Sequence, residues 1–186
     1  ILFIIAIVSS HFLFANDFIA LTDTNKNIIQ RAKIDFKVAE GTRKFYEHNY
    51  RGSLNLFREI LALDDHNAKA HFGIAQCQYA LNKYDLSKEY IDKAIALDNE
   101  VDRDVLLLKG KVEHRLGNLD EAIKNFESHK LTLKGNERKI LESDVDLFIA
   151  QCNYAKEQMK QPKDVVVTNL GENINTFAPE SAPCIS

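Results

Sequence analysis

Three cysteines and six histidines are the side chains best suited to hold a metal or to act as nucleophiles. Their spacing supports neither use. No two cysteines are close enough in sequence to form a metal-ligand pair, and His11, His48, His66, His71, His114 and His129 are scattered. There is no glycine-rich phosphate loop. The many Asp and Glu residues read as charged helical faces. No catalytic residue, cofactor or metal ligand is therefore expected. Cys77 and Cys152 are better explained by a duplication. They hold the same place in Ile74-Ala75-Gln76-Cys77-Gln78-Tyr79-Ala80 and Ile149-Ala150-Gln151-Cys152-Asn153-Tyr154-Ala155. On parallel helices spaced about 8–10 Å apart in a stack, they would be held beyond the roughly 7 Å reach of a disulfide. They are expected as small buried hydrophobes, with Cys184 free in the tail.

A second rhythm runs through the chain. Gly41, Tyr50, Ser53 and Phe57 are answered 34 residues later by Ala75, Tyr84, Ser87 and Ile91. Leu61-Ala62-Leu63-Asp64 is answered by Ile95-Ala96-Leu97-Asp98, and a further step of 35 gives Gly110, Leu119, Ala122 and Phe126. A period of this length implies stacked helix-turn-helix units, because one such unit cannot bury its apolar face alone. No proline occurs before Pro162, as long helices require, since an interior proline costs about 3 kcal/mol. The predicted fold is all-α: a solenoid from 34 to 160 with three helix pairs and a closing helix.

The elements follow from the spacing. The first unit runs from Ile34 to Asn67, with Val38, Gly41, Phe45 and Tyr46 on one helix and Ser53, Leu56, Phe57, Ile60 and Leu61 on the next. Steps of three and four put each set on one face. Gly41 and Ser53 are small where two helices must cross closely. Asn49-Tyr50 makes the turn, and Gly117 makes the matching turn of the third unit. The charged stretch Thr132–Glu142, with Gly135-Asn136 inside it, is expected to break the phase. Val145 to Met159 then resumes a first-helix pattern that Gln161-Pro162 stops. A lone helix there reads as a cap over the last apolar face.

These residues resemble the tetratricopeptide repeat. Its small residue at position 8 is matched by Gly41, Ala75 and Gly110, and that at position 20 by Ser53, Ser87 and Ala122. Position 24, usually aromatic, is Phe57, Ile91 and Phe126. Position 27, usually Ala, is Ile60, Ala94 and His129, a departure expected to loosen the third unit; the family's frequent Trp and Pro are missing. The resemblance implies a concave surface lined by first helices. On it would lie the protein-binding candidates Thr42, Phe45, Tyr46, Phe72, Gln76, Tyr79, Lys111, His114 and Arg115. The carboxylate-clamp version of the family wants Lys and Asn where Val38, Thr42, Phe72 and Gln76 stand, so that version is not implied.

The two ends differ in character. Ile1 to Ala15 is apolar and no charge appears before Asp17. The stretch reads as the core of a secretory signal lacking its basic start, cleaved after Ala15; an uncleaved anchor and an ordinary buried helix are the alternatives. Residues 16–33 are expected to be a linker or helix. From Gln161 the chain turns to β-branched, Gly- and Asn-rich sequence, Asp164-Val165-Val166-Val167-Thr168-Asn169-Leu170-Gly171-Glu172-Asn173-Ile174-Asn175. This stretch looks like the entry to a β-propeller of Gram-negative envelope proteins. In those, an exported tetratricopeptide array precedes a propeller and an OmpA-like peptidoglycan-binding domain.

With a net charge of −3 and a pI near 6.1, the chain has no field to hold nucleic acid. The expected function is a non-catalytic protein-protein interaction scaffold in the periplasm, part of an outer-membrane-associated complex. Its partners would be proteins or peptides of the cell envelope, and peptidoglycan would be reached only through a further C-terminal domain. A structural spacer supporting a propeller, and an accessory domain of an exported enzyme, remain open alternatives.

Overall fold

The computed structural model describes residues 28–160. The apolar opening Ile1–Ala15, the tail 161–186 and Cys184 lie outside the described residues. Seven helices follow one another: α1 (28–46), α2 (Tyr50–Leu61), α3 (Ala68–Ala80), α4 (Tyr84–Leu97), α5 (Val105–Arg115), α6 (Leu119–Thr132) and α7 (Gly135–Met159). No strand occurs among the described residues. From α2 to α7 each helix packs on its neighbours in sequence, and α1 meets α2 where Ser53 bonds Gly41, which is the stack of three pairs and a closing helix that the period predicts.

Each pair is locked where the small residues stand. The Ser53 hydroxyl donates to the Gly41 carbonyl at 2.7 Å, and the Ser87 hydroxyl to the Ala75 carbonyl at 2.8 Å. A buried hydroxyl needs such a partner, and only a small neighbour lets the carbonyl come so near. The third pair has Ala122 in that place and closes instead with Phe126 against Gly110. Between the pairs lie three apolar layers. Phe57, Ile60, Ile74 and Cys77 share the first, Ala75, Ile91, Val105 and Val112 the second, and Ala122, Phe126, Val145 and Cys152 the third. Cys77 and Cys152 are both free and fully buried, as expected, and burial pushes both thiols up from their ordinary pKa.

Three turns reverse the chain inside the pairs, and all use one device. His48 (φ 60°), Asn82 (φ 58°) and Gly117 (φ 81°) occupy equivalent places and all lie in the left-handed region. Glycine reaches that region freely and Asn at modest cost. The sequence points to Gly117 but sets the first turn at Asn49-Tyr50, because a His or an Asn does not announce positive φ; Asn49 instead caps α2, which Tyr50 opens. Asn49 and Asn67 then cap the following helices, their side chains accepting from Gly52 N and Ala70 N at 3.0 Å.

One expectation is corrected. The charged stretch Thr132–Glu142 shifts the phase as expected, but it is helical apart from Leu133 and Lys134: α7 begins at Gly135, ten residues ahead of Val145. Gly135 (φ 55°) makes the turn out of α6, and Arg138–Glu142, four residues apart, supports the extended first turns. At the other end α1 already includes residue 28, which agrees with the helix alternative for the last part of 16–33.

The third unit's odd residue is buried. His129 is fully inaccessible, its ring nitrogens lack a well-formed hydrogen bond, and the Arg103 backbone and Asp104 Oδ1 (4.0 Å from Nε2) are the polar groups nearest its ring. Burial lowers its pKa below the ordinary histidine value, against the opposing pull of Asp104. A histidine held neutral in the fold and freer to charge when unfolded contributes stability that is complete above the unfolded pKa of about 6.5. That stability is lost as pH falls below it. His129→Leu is therefore expected to flatten the acid limb of the stability curve, read as urea midpoints at pH 5 and pH 7.5. An unchanged difference between the two midpoints would remove this role.

Candidate functional site

First helices α1 and α3 face each other across one cleft, and α3 and α5 across another. One lies between α1 and α3, lined by Val38, Thr42, Tyr46, Lys69, Phe72, Gly73 and Gln76, with Val101 and Asp102 at its end. The other lies between α3 and α5, lined by Phe45, Phe72, Gln76, Tyr79, Asp104, Leu107, Leu108 and Lys111. Phe72 and Gln76 belong to both and join them into one groove.

Seven of the nine sequence candidates thus come together: Thr42, Phe45, Tyr46, Phe72, Gln76, Tyr79 and Lys111. They are not equivalent. Tyr46 is 73% exposed and stands edge-on to Phe45 at 5.7 Å, so it is offered to a ligand. Phe72 is only 5% exposed and belongs to the second apolar layer, so it is chiefly floor. Tyr79 is half-buried, packs on that same layer and lies 5.6 Å from Tyr84. His114 and Arg115 line neither cleft. They sit in the last turn of α5 at its edge, where Tyr79 hydrogen-bonds Arg115 and raises its pKa. Burial and the Arg115 charge push His114 below the ordinary histidine range.

Lys111 is the group that gives the groove its chemistry. It is half-buried, and its ammonium lies 5.0 Å from the centre of the Phe148 ring of α7 instead of in an ion pair. Burial lowers its pKa, while Asp104 and Asp144 act from a distance to raise it. By contrast Lys88, Lys109 and Lys130 each hold a carboxylate, at 2.7, 2.7 and 2.5 Å. A partly desolvated cation held by an aromatic face and by carboxylates beyond ion-pair distance gains from a carboxylate in direct contact.

Sequence reasoning missed Gly73, Val101, Asp102 and Leu108. Val101 and Asp102 lie between units, where the periodic pattern assigns no first-helix position. Gly73 falls between the small residues that carry the period. The remaining histidines are structural: His71 Nε2 lies 2.9 Å from the Asp65 carbonyl, and His66 Nδ1 2.5 Å from Asp65 Oδ1. Among the described residues no group of three or more His, Cys, Asp or Glu side chains could hold a metal, and no helix is long and apolar enough to cross a membrane.

Residues 44–112 match the family model described as tetratricopeptide repeat. No curated protein sequence matches the chain. Among solved structures, the chain is similar to the type III secretion chaperone SycD of Yersinia enterocolitica in complex with a peptide of the translocator YopD. The identity is 16% and the TM-score 0.57, covering 66% of this chain and 93% of that one. It is similar to the second TPR domain of human RPAP3 in complex with an HSP70 peptide, at 21% identity and a TM-score of 0.56, covering 67% and 98%. PcrH from Pseudomonas aeruginosa aligns at 16% identity and a TM-score of 0.55, covering 64% and 91%. At these identities the likeness is one of fold: a tetratricopeptide-type helical solenoid.

Proposed function

We propose that the chain is a non-catalytic protein-binding module whose groove takes an extended or helical peptide segment, apolar with an acidic end. The observation that carries this is Lys111, a half-buried cation with no ion pair among the described residues, beside the apolar walls Phe45, Tyr79 and Leu107 and with Asp104 in the same cleft but not paired to it. Tyr46 supplies an exposed aromatic anchor at the other end, and aromatic and charged anchors dominate binding energy in such contacts. The similar chaperone and TPR-domain structures were solved with peptides bound, which supports a peptide as the class of ligand.

The test is a displayed peptide library selected on the protein. Apolar peptides with a terminal or near-terminal carboxylate should be enriched. Lys111→Gln with Tyr46→Ala should weaken them at least about tenfold without moving the unfolding midpoint. Tyr79 is a poorer probe, because it also packs on the second layer. Equal binding by the double variant would exclude the groove as the site.

The same reading extends to location. We place the module outside the cytoplasm, in the periplasm, as part of an outer-membrane-associated and peptidoglycan-anchored complex with envelope proteins as partners. What supports it is the uncharged apolar run Ile1–Ala15 and the propeller-like tail. A mature N-terminus near Asn16, found by sequencing the protein from its host, is the expected result. A soluble cytoplasmic product with Ile1–Ala15 intact would overturn it.

A further inference from the structure

Position 27 of the third unit stands next to the binding groove. Ile60 and Ala94 fill that place in the first two units, and neither can exchange a proton. His129 fills it in the third. The ring is fully enclosed, and its Nε2 lies 4.0 Å from Oδ1 of Asp104. Asp104 precedes α5 and lines the same cleft as Lys111. Its Oδ1 also lies 3.4 Å from Arg103 Nε. Arg103, Asp104 and Lys111 are the charged groups that act on the ring. On α7, Glu142 and Asp146 are taken up by Lys130, and Asp144 acts on Lys111. The ring is held in its enclosure, whereas the Asp104 side chain is 43% exposed and has room to turn.

We propose that Asp104 selects the charge of the groove's ligand and that His129 positions it. With the imidazole neutral, the Asp104 carboxylate faces the cleft and repels an acidic end approaching Lys111. With the imidazole protonated, the enclosed charge needs a partner, and the Asp104 carboxylate closes onto it. Lys111 is then left to the ligand. This rests on the peptide-binding reading above and adds a proton to it as a second ligand. By linkage, an acidic segment bound beside Lys111 raises the proton affinity of His129, and protonation raises the affinity for that segment by the same factor. Burial holds the His129 pKa below its ordinary value, so the protonated form gains weight only as pH falls below about 6.5. The groove therefore closes on acidic segments in mildly acidic surroundings. His114 titrates as well, but it lines neither cleft and serves as the control.

The test uses the full chain and two synthetic probes. One is an N-acetylated peptide of Leu and Phe ending in Asp with its carboxylate free, and the other ends in Asn amide. Each is titrated at pH 5.5 and pH 7.5, where the peptide carboxylates stay ionised. The acidic probe should bind at least about threefold more tightly at pH 5.5, and the amide probe equally at both. Asp104→Asn removes no capping hydrogen bond and should bind the acidic probe tightly at both pH values. His129→Gln should bind it at the weaker level at both, while His114→Gln should keep the pH dependence. The His129 imidazole resonance should titrate at higher pH with the acidic probe present and not with the amide. Lys111-dependent binding that is equal at both pH values would overturn the inference and leave the groove reading standing. So would a pH dependence that survives Asp104→Asn or vanishes with His114→Gln. An acidic probe that binds at neither pH would remove both.

Discussion

Phe57→Ala is expected to lower the unfolding free energy by about 3–5 kcal/mol, a large share of the roughly 5–15 kcal/mol that holds a domain of this size. The ring is 2% exposed and sits between two backbones. A Cβ built on Gly41 would lie 3.0 Å from it, and one on Gly73 only 2.4 Å. Phe57 of α2 therefore touches the main chains of α1 and α3 together, and removing it leaves a cavity that three helices would have to close. Gly73→Ala should be damaging from the opposite direction, by overpacking. Combining it with Phe57→Leu should return part of the loss, since substitutions in contact are not additive. Denaturant unfolding followed by helical signal measures all three. A neutral Gly73→Ala would show that the layer is looser than its geometry.

Gly110→Leu should cost about 1–3 kcal/mol and reach further than stability. A Cβ at Gly110 would lie 2.5 Å from the Phe126 ring. Phe126 stacks on Phe148, and Phe148 carries the Lys111 ammonium on its other contact. An enlarged residue 110 displaces this column and with it the Lys111 ammonium of the groove. Loss of acidic-peptide affinity should thus accompany the stability loss. Ala75→Leu, at the same place in the second unit and equally buried, should cost similar stability but spare that affinity. Identical binding losses in the two variants would mean that general loosening, not the column, controls the site.

Particular residues explain which parts of this fold can be read from sequence. The period was legible because close helix crossings admit only small side chains, so Gly41, Ala75 and Gly110 recur in phase with Ser53, Ser87 and Ala122. The front of the groove was legible for the same reason, since first-helix positions inherit the period. What escaped lies outside periodic constraint. Arg138 and Glu142 stabilise a helix through a pair rather than an apolar stripe, so the first ten residues of α7 read as a break. His48 and Asn82 take positive φ because the turn imposes it. His129 looks like a defect at position 27 and is instead fully enclosed. In the sequence Lys111 is one basic residue of several; only the ring beneath it distinguishes it.

The hydroxyl-to-carbonyl locks of the first two pairs have a kinetic consequence. In a one-dimensional stack each unit answers mainly to its neighbours, and opening begins where a neighbour contact is weakest. The first pair is held by Ser53, which also accepts from Cys77 at 3.3 Å, and the second by Ser87. The third has Ala122 there and no such bond. Amide exchange should therefore be fastest in α6 and α7, and fraying should travel from that end toward α1. Lys111 rests on α7, so the charged end of the groove is the first part to come apart and the last to assemble.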